Sequence, residues 1–221
     1  MLAGENTDFV PDPLAQFLGR VLAWSADSYV NIHADGGKRT EYAMGGQAFR
    51  GWDEYVQLKR HVDWLNVNQS DVYFCLATMA TYNEAQSKPN KRRAYRRKNP
   101  EHVKLLKAFV IDLDVKPKGY PDQHAALKAV LPFLDKLGLK AGEIVSSGNG
   151  IHVYIVLDQP VTLDVWQPLA DKLVAALQAH GIKCDTGVTK NPVTLIRLPG
   201  TVNQDRKRKD AAIPKPCRVL T

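Results

Sequence analysis

The sequence predicts an α+β fold, mixed β-sheets flanked by helices. Three observations carry this reading. Segments with helical and strand periodicity are interspersed along the chain rather than grouped. One strongly apolar run, AFVIDLDV at 108–115, has the character of a central buried strand. And 221 residues with 44% hydrophobic and 24% charged content are enough to close a core without staples.

Taken in order, Asp12 to Trp24 has apolar residues at helical spacing behind an Asp-Pro start, so it reads as a helix. Tyr29 to His33 alternates as a strand does. The following loop is glycine-rich, with Gly36, Gly37, Gly45 and Gly46. Trp52 to Leu65 is an amphipathic helix carrying Tyr55, Val56, Leu58, Val62 and Leu65 on its apolar stripe. Val72 to Ala77 is a short buried strand. Ala108 to Val115 is the clearest strand, interrupted only by two aspartates. Residues 122–137 form a helix kinked or interrupted near Pro132. Ile144–Ser146 and Ile151–Leu157 are strands joined by the tight turn SSGNG. Residues 163–179 form a helix closed by Gly181, and Val193–Leu198 is the last strand. The organisation expected is an N-terminal helical and β segment, 1–68, packed on a core of residues 69–221. Together they make one catalytic domain, which is a possible piece of a longer protein.

Composition excludes several classes. No apolar run reaches the ~20 residues that span a bilayer, and MLAGENTDFVPDP lacks the basic and apolar regions of an export signal. Cys75, Cys184 and Cys217 form no CxxC pair and no disulfide framework, so no zinc is expected and a reducing cytoplasm suits the chain. The net charge of +7 is concentrated in KPNKRRAYRRK, residues 88–98, and in RKRK, residues 206–209. Such runs suit a nucleic-acid backbone, because neutralised phosphates release counterions. They suit a solvated loop equally well.

Three constellations carry chemistry. Asp112 and Asp114 stand at i and i+2 of the apolar strand, so their carboxylates project from one face. Adjacent buried anions repel unless a cation accompanies them, and Mg²⁺ or Mn²⁺ prefers such oxygens; two of these ions about 4 Å apart clamp a phosphoryl displacement. A strand end with two solvated acids is the plain alternative. Ser146-Ser147-Gly148-Asn149-Gly150-Ile151-His152 joins two strands. Its glycines permit positive φ and close backbone approach, and its amides, hydroxyls and histidine can cradle a phosphate. A simple hairpin with a capping histidine is the alternative. Cys184-Asp185 offers a third carboxylate. Arg197, in an apolar run, needs an anionic partner, either a substrate triphosphate or an internal carboxylate. Asn203 contacts the nucleotide or stabilises the Pro199-Gly200 turn.

The order of these features, Ile111-Asp112-Leu113-Asp114, then Ser147 to His152, then Cys184-Asp185, resembles the archaeo-eukaryotic primase superfamily. The RLPGTVN stretch at 197–203 resembles its phage and plasmid primase-polymerases. The likeness covers about residues 70–205, and it departs in having Cys184 where the family has an aliphatic residue and in lacking a zinc-binding cluster. It implies a catalytic core with an RRM-like half and template-directed nucleotidyl transfer that releases pyrophosphate. Asp112, Asp114 and Asp185 would hold two divalent ions, and these acids and His152 would be catalytic. Ser146, Ser147, Gly148, Asn149, Gly150, His152, Arg197 and Asn203 would bind the nucleotide. Lys91, Arg92, Arg93, Tyr95, Arg96, Arg97 and Lys98 would track nucleic acid, with Tyr95 stacking on a base or simply exposed. The implied partners are single-stranded DNA template, primer, NTP or dNTP, and a helicase domain or protein, in the cytoplasm of a bacterial or archaeal host. A non-catalytic replication-initiator or origin-binding module would use the basic runs but leave the acid pair without a role. A rolling-circle nuclease would need a histidine pair, and a glycosyltransferase would not need the basic runs.

Overall fold

The computed structural model describes residues 12–36, 45–84, 99–205 and 213–220. Its first helix, α1 (Pro13–Val21), starts because the Asp12 carboxylate accepts from the amides of Leu14 and Ala15, with Pro13 in the first turn. Leu14, Phe17, Leu18 and Val21 make its buried stripe. Strand β1 (Tyr29–Asp35) follows, and then β2 (Gly45–Arg50), antiparallel to it. Gly45 and Gly46 therefore belong to a strand and not to the glycine-rich loop expected from composition. Their pairing with Ala34 and His33 overrides a weak local preference for strand.

Trp52–Glu54 is a 3₁₀ turn, and the regular helix α2 runs over Tyr55–Val67, burying Leu58, Val62 and Leu65. Strands β3 (Asp71–Cys75) and β4 (Thr78–Met79) lead to β5 (Val103–Asp114), five residues longer at its start than the apolar run indicates. Helix α3 (Gln123–Lys136), capped by Asp122, continues through Pro132 without interruption. The hairpin of β6 (Glu143–Ser146) and β7 (Gly150–Val161) comes next, then α4 (Leu163–Ala179), which ends at His180 with Gly181 at φ +67°. A one-turn helix α5 (Thr186–Thr189), β8 (Leu195–Arg197), β9 (Val202–Asn203), β10 (Lys215–Pro216) and β11 (Arg218–Val219) complete the described chain.

Nine strands form one sheet in the order β11-β6-β7-β5-β4-β1-β3-β8, with β2 attached to β1. Its ladders are antiparallel, and among the described residues the parallel pairing is the single bridge Val115–Tyr120. Within it β5–α3–β6–β7–α4 winds with β7 between β5 and β6. Strand β1, from the N-terminal segment, lies inside the same sheet between β4 and β3. Trp166 anchors α4 by stacking on Phe109 at 5.1 Å and donating its indole N–H to the Ala108 carbonyl at 3.0 Å. Phe17 stands edge-on to both Phe74 (5.7 Å) and Tyr154 (5.4 Å), tying β3 to β7 through α1. No helix among the described residues is long and apolar enough to cross a membrane.

Candidate active site

Strand pairing brings the first two constellations together. In the β5–β7 ladder Asp112 lies directly opposite His152, and Asp114 opposite Gly150. The His152 Nε2 is 3.5 Å from Asp112 Oδ1, and its Nδ1 is buried with no hydrogen-bond partner among the described residues. Burial, and then the positive charge of Arg197, push the His152 imidazole down to about 4, so it is neutral at pH 7. Burial, followed by the charges of Asp114 and Asp185, pushes the Asp112 carboxyl up to about 7. Both groups therefore sit where their charged forms are disfavoured.

The turn between β6 and β7 uses its two glycines differently. Gly148 has φ +92°, a left-handed conformation that a side chain would strain. At Gly150 a Cβ would come within 2.7 Å of the Leu113 carbonyl oxygen, so a hydrogen is required there for the turn to lie against β5. The turn's amides are largely engaged within it. Ser147 N–H donates to the Gly150 carbonyl (3.0 Å), Gly150 N–H to Ser147 Oγ (3.1 Å), and Gly148 N–H lies 3.4 Å from Ser146 Oγ. These three are not the phosphate cradle expected from the sequence, because a tight turn closes on its own donors. Asn203 holds the turn from outside, donating to the Ser147 carbonyl (2.9 Å) while its own carbonyl oxygen accepts from Asp205 N–H (2.9 Å). Asn149 donates to Asp205 and accepts from Lys215. Gly150→Ala should cost about 1–3 kcal/mol by forcing the turn off β5, read as a lower melting temperature. An unchanged melt would mean the turn can move away freely.

Asp185 caps α5, its Oδ1 accepting from the amides of Gly187 (2.9 Å) and Val188 (3.2 Å). Its backbone N–H donates to the Asp112 carbonyl (2.9 Å), which fastens the third acid beside the strand of the first two. Asp114 is ion-paired with Lys116. The donor set, two carboxylates on one strand face with a third alongside, is of the oxygen type that suits a divalent ion. It is not a closed ligand cage: among the described residues no group of three His, Cys, Asp or Glu comes together as one.

Arg197 finds its internal carboxylate. Its Nη1 bonds Asp71 Oδ1 at 2.5 Å, and its guanidinium lies 4.9 Å from the Tyr73 ring centroid. Asp71 is buried and also accepts from Gln204 N–H (2.9 Å). These groups line a cleft of about 280 Å³ together with Asp112, Asp114, Ser147, Asn149, Gly150, His152 and Asn203. Ser146 and Gly148 line a neighbouring depression instead, where Gln123 donates to Ser146 Oγ. Asp185 lines a third depression, which shares Asp114 with the cleft.

No protein-family model matches the sequence, and neither does any curated protein. Solved structures do. The AEP domain of the cyanophage S-2L primase-polymerase (PrimPol) superposes with a TM-score of 0.59 at 15% identity, over 95% of this chain and 89% of that one. The chain has the primase-polymerase fold. Primase RepB′ superposes with a TM-score of 0.51 at 10% identity, over 94% of this chain and 56% of that one, so this chain spans little more than half of it.

On this primase-polymerase fold the sequence-predicted residues Asp112, Asp114, Ser147, Asn149, Gly150, His152, Arg197 and Asn203 meet in one cleft. Lys91, Arg92, Arg93, Tyr95, Arg96, Arg97 and Lys98 lie outside the described residues, as does the run 206–209. Sequence reasoning missed Asp35, Asp71, Tyr73 and Asp205, which also line the cleft. Asp35 and Asp71 face each other across β1 and β3, and Tyr73 lies opposite both His33 and Arg197. The available signal was an aspartate two residues before Tyr73 at the head of a buried strand, the same spacing that marks the acid pair.

Proposed function

We propose that this chain is a primase-polymerase serving the replication of a mobile element such as a phage or plasmid, extending a strand by template-directed nucleotidyl transfer with release of pyrophosphate. The observation that carries the reading is the facing pair Asp112 and His152, with Asp114 on the same strand face, at the cleft of a fold shared with a primase-polymerase domain.

The cleft's charge supports it. Among the described residues, Asp35, Asp71, Asp112, Asp114 and Asp205 line it against one cation, Arg197. Such a field disfavours a triphosphate unless divalent cations offset it. Asp112 and Asp114 would hold Mg²⁺ or Mn²⁺, with Asp185 alongside. Bound there, the ions supply activation of the attacking hydroxyl and neutralisation of the leaving phosphates. The chain's own groups do the rest. Neutral His152 keeps one ring N–H to donate to a phosphate oxygen without adding a charge that the acids would trap. The Ser147 hydroxyl, which accepts from Gly150 N–H, still has its own proton to donate. Arg197, locked by Asp71 and Tyr73, offers its remaining N–H groups in a set orientation. Ser146, Asn203 and Gly148 hold the turn that presents His152. The substrates would be NTP or dNTP with a primed single-stranded DNA template, and the basic run 88–98 and a helicase domain or partner would complete the assembly.

Primer extension with Mg²⁺ or Mn²⁺ tests this. Wild type should extend, and Asp112→Ala or Asp114→Ala should lose about 10²–10³-fold in rate, the scale of removing a charge-stabilising group. Equal extension by wild type and variants, or none by wild type with either metal, refutes it.

A further inference from the structure

The depression that shares Asp114 with the cleft holds about 340 Å³ and is lined by Lys116, Lys118 and Lys183 as well as Asp114 and Asp185. Among the described residues its charge is opposite in sign to the cleft's: three cations against two acids, where the cleft has one against five. The depression is also the more exposed of the two. All three lysines and Asp185 are exposed, whereas in the cleft His152, Ser147, Asp71, Asn203 and Asp205 are buried, Asp112, Asp114 and Arg197 are half-buried and Asp35 is exposed.

The lysines are held by backbone structure rather than scattered on a loose surface. The segment after β5 folds back at once: Gly119 N–H donates to the Lys116 carbonyl (2.8 Å) and Tyr120 N–H to the Asp114 carbonyl (3.1 Å). The Tyr120 hydroxyl accepts from Lys183 N–H (3.1 Å), and Lys183 Nζ lies 3.4 Å from the Gly119 carbonyl. With the bond from Asp185 N–H to the Asp112 carbonyl, this zips residues 115–120 to 183–185 along the edge of the acid pair.

An in-line displacement puts the attacking and leaving oxygens on opposite sides of the phosphorus. If the triphosphate lies in the buried cleft, the attacking strand must reach the acids from the other side of Asp114. A single nucleotide fits a buried recess, but a polymer needs an open track, and its phosphodiesters need cations. We infer that the lysine-lined depression is the seat of the primer strand's 3′-terminal phosphodiesters, with Lys118 and Lys183 gripping the backbone. This rests on the polymerase reading of the cleft.

The test is fluorescence anisotropy of the full chain with a primed template and with the same single strand unprimed, beside binding of a nucleotide triphosphate. None of these needs turnover. Lys118→Ala/Lys183→Ala should weaken primed DNA by about tenfold at ~0.1 M salt and lower its salt slope by about two, as expected for two lost phosphate contacts. Affinity for single strand and nucleotide should be unchanged. Lys118→Arg/Lys183→Arg should restore primed-end binding, which separates lost charge from lost folding. Weaker nucleotide binding with primed DNA unaffected would assign the depression to the triphosphate and overturn the inference. So would an equal loss on primed and unprimed DNA, no loss at all, or a loss that arginine does not restore. Primed-end binding that depends on the lysines in a chain that extends no primer would leave the strand seat standing and refute the polymerase reading alone.

Discussion

Asparagine at position 112 should make the metal-free protein more stable at pH 8 and abolish its stabilisation by manganese. The Asp112 carboxyl is pushed up to about 7 by burial and by Asp114 and Asp185. The folded state thus holds this proton more tightly than the unfolded chain does. The stability it contributes is complete below about pH 4 and is lost as pH rises through about 7. His152, pushed down to about 4, has the opposite slope: its contribution is present above about 6.5 and lost as pH falls through about 4. The two offset each other between about pH 4 and 6.5, and above that only the Asp112 slope remains. At pH 8 the buried charge is destabilising, so Asp112→Asn should melt at least about 4 °C higher than wild type. A divalent ion at about 100 times its dissociation constant adds about 2.7 kcal/mol to any state that binds it. Wild type should therefore gain about 5–10 °C with Mn²⁺ and the variant almost nothing. Calorimetry at pH 8 with and without MnCl₂ decides the matter. A variant that melts below wild type without metal would contradict the electrostatic reading, and a wild type indifferent to Mn²⁺ would contradict the metal site.

Arg197→Ala should be among the most damaging single substitutions in the cleft wall. It removes the guanidinium from Asp71, whose side chain is 4% exposed against 20% for Arg197. Breaking a buried pair from one side costs about 3–5 kcal/mol, or about 6–20 °C in a chain of this size. The cost should be unequal. Asp71→Asn keeps an acceptor for Gln204 N–H and leaves behind an arginine that can still turn toward the open cleft, so it should be the milder change. Arg197→Lys should not rescue, because the ammonium lacks the planar fork that meets Asp71 and lies over Tyr73. Urea melts of the three variants test the ranking. Equal losses from Arg197→Ala and Asp71→Asn would mean that the buried carboxylate is not the costly partner.

The acid pair shows what local pattern can supply. Apolar residues over 108–115 mark a central strand, and a period of two puts Asp112 and Asp114 on one face whatever lies around them. The two glycines of the histidine turn were legible for the same reason, since conformational freedom and close approach are properties of the residue. The turn's amides were not. Whether they face a ligand or close on each other depends on how Gly150 meets Leu113, in another strand. Gly45 and Gly46 were missed as strand because pairing with β1, not their own preference, holds them there.

The chain's α+β class, its acid pair, its histidine turn and the order of its motifs were determined by the sequence alone, because each follows from periodicity or from a few neighbouring residues. Only the tertiary structure decided that Asp112 faces His152, that Asp71, 126 positions away, takes Arg197, and that Asp114 lines both an aspartate-rich cleft and a lysine-lined depression. Those facts depend on strand register and on loops that fold back over long separations. A one-residue slip in register would turn every side chain to the other face, and no local pattern records which register is chosen.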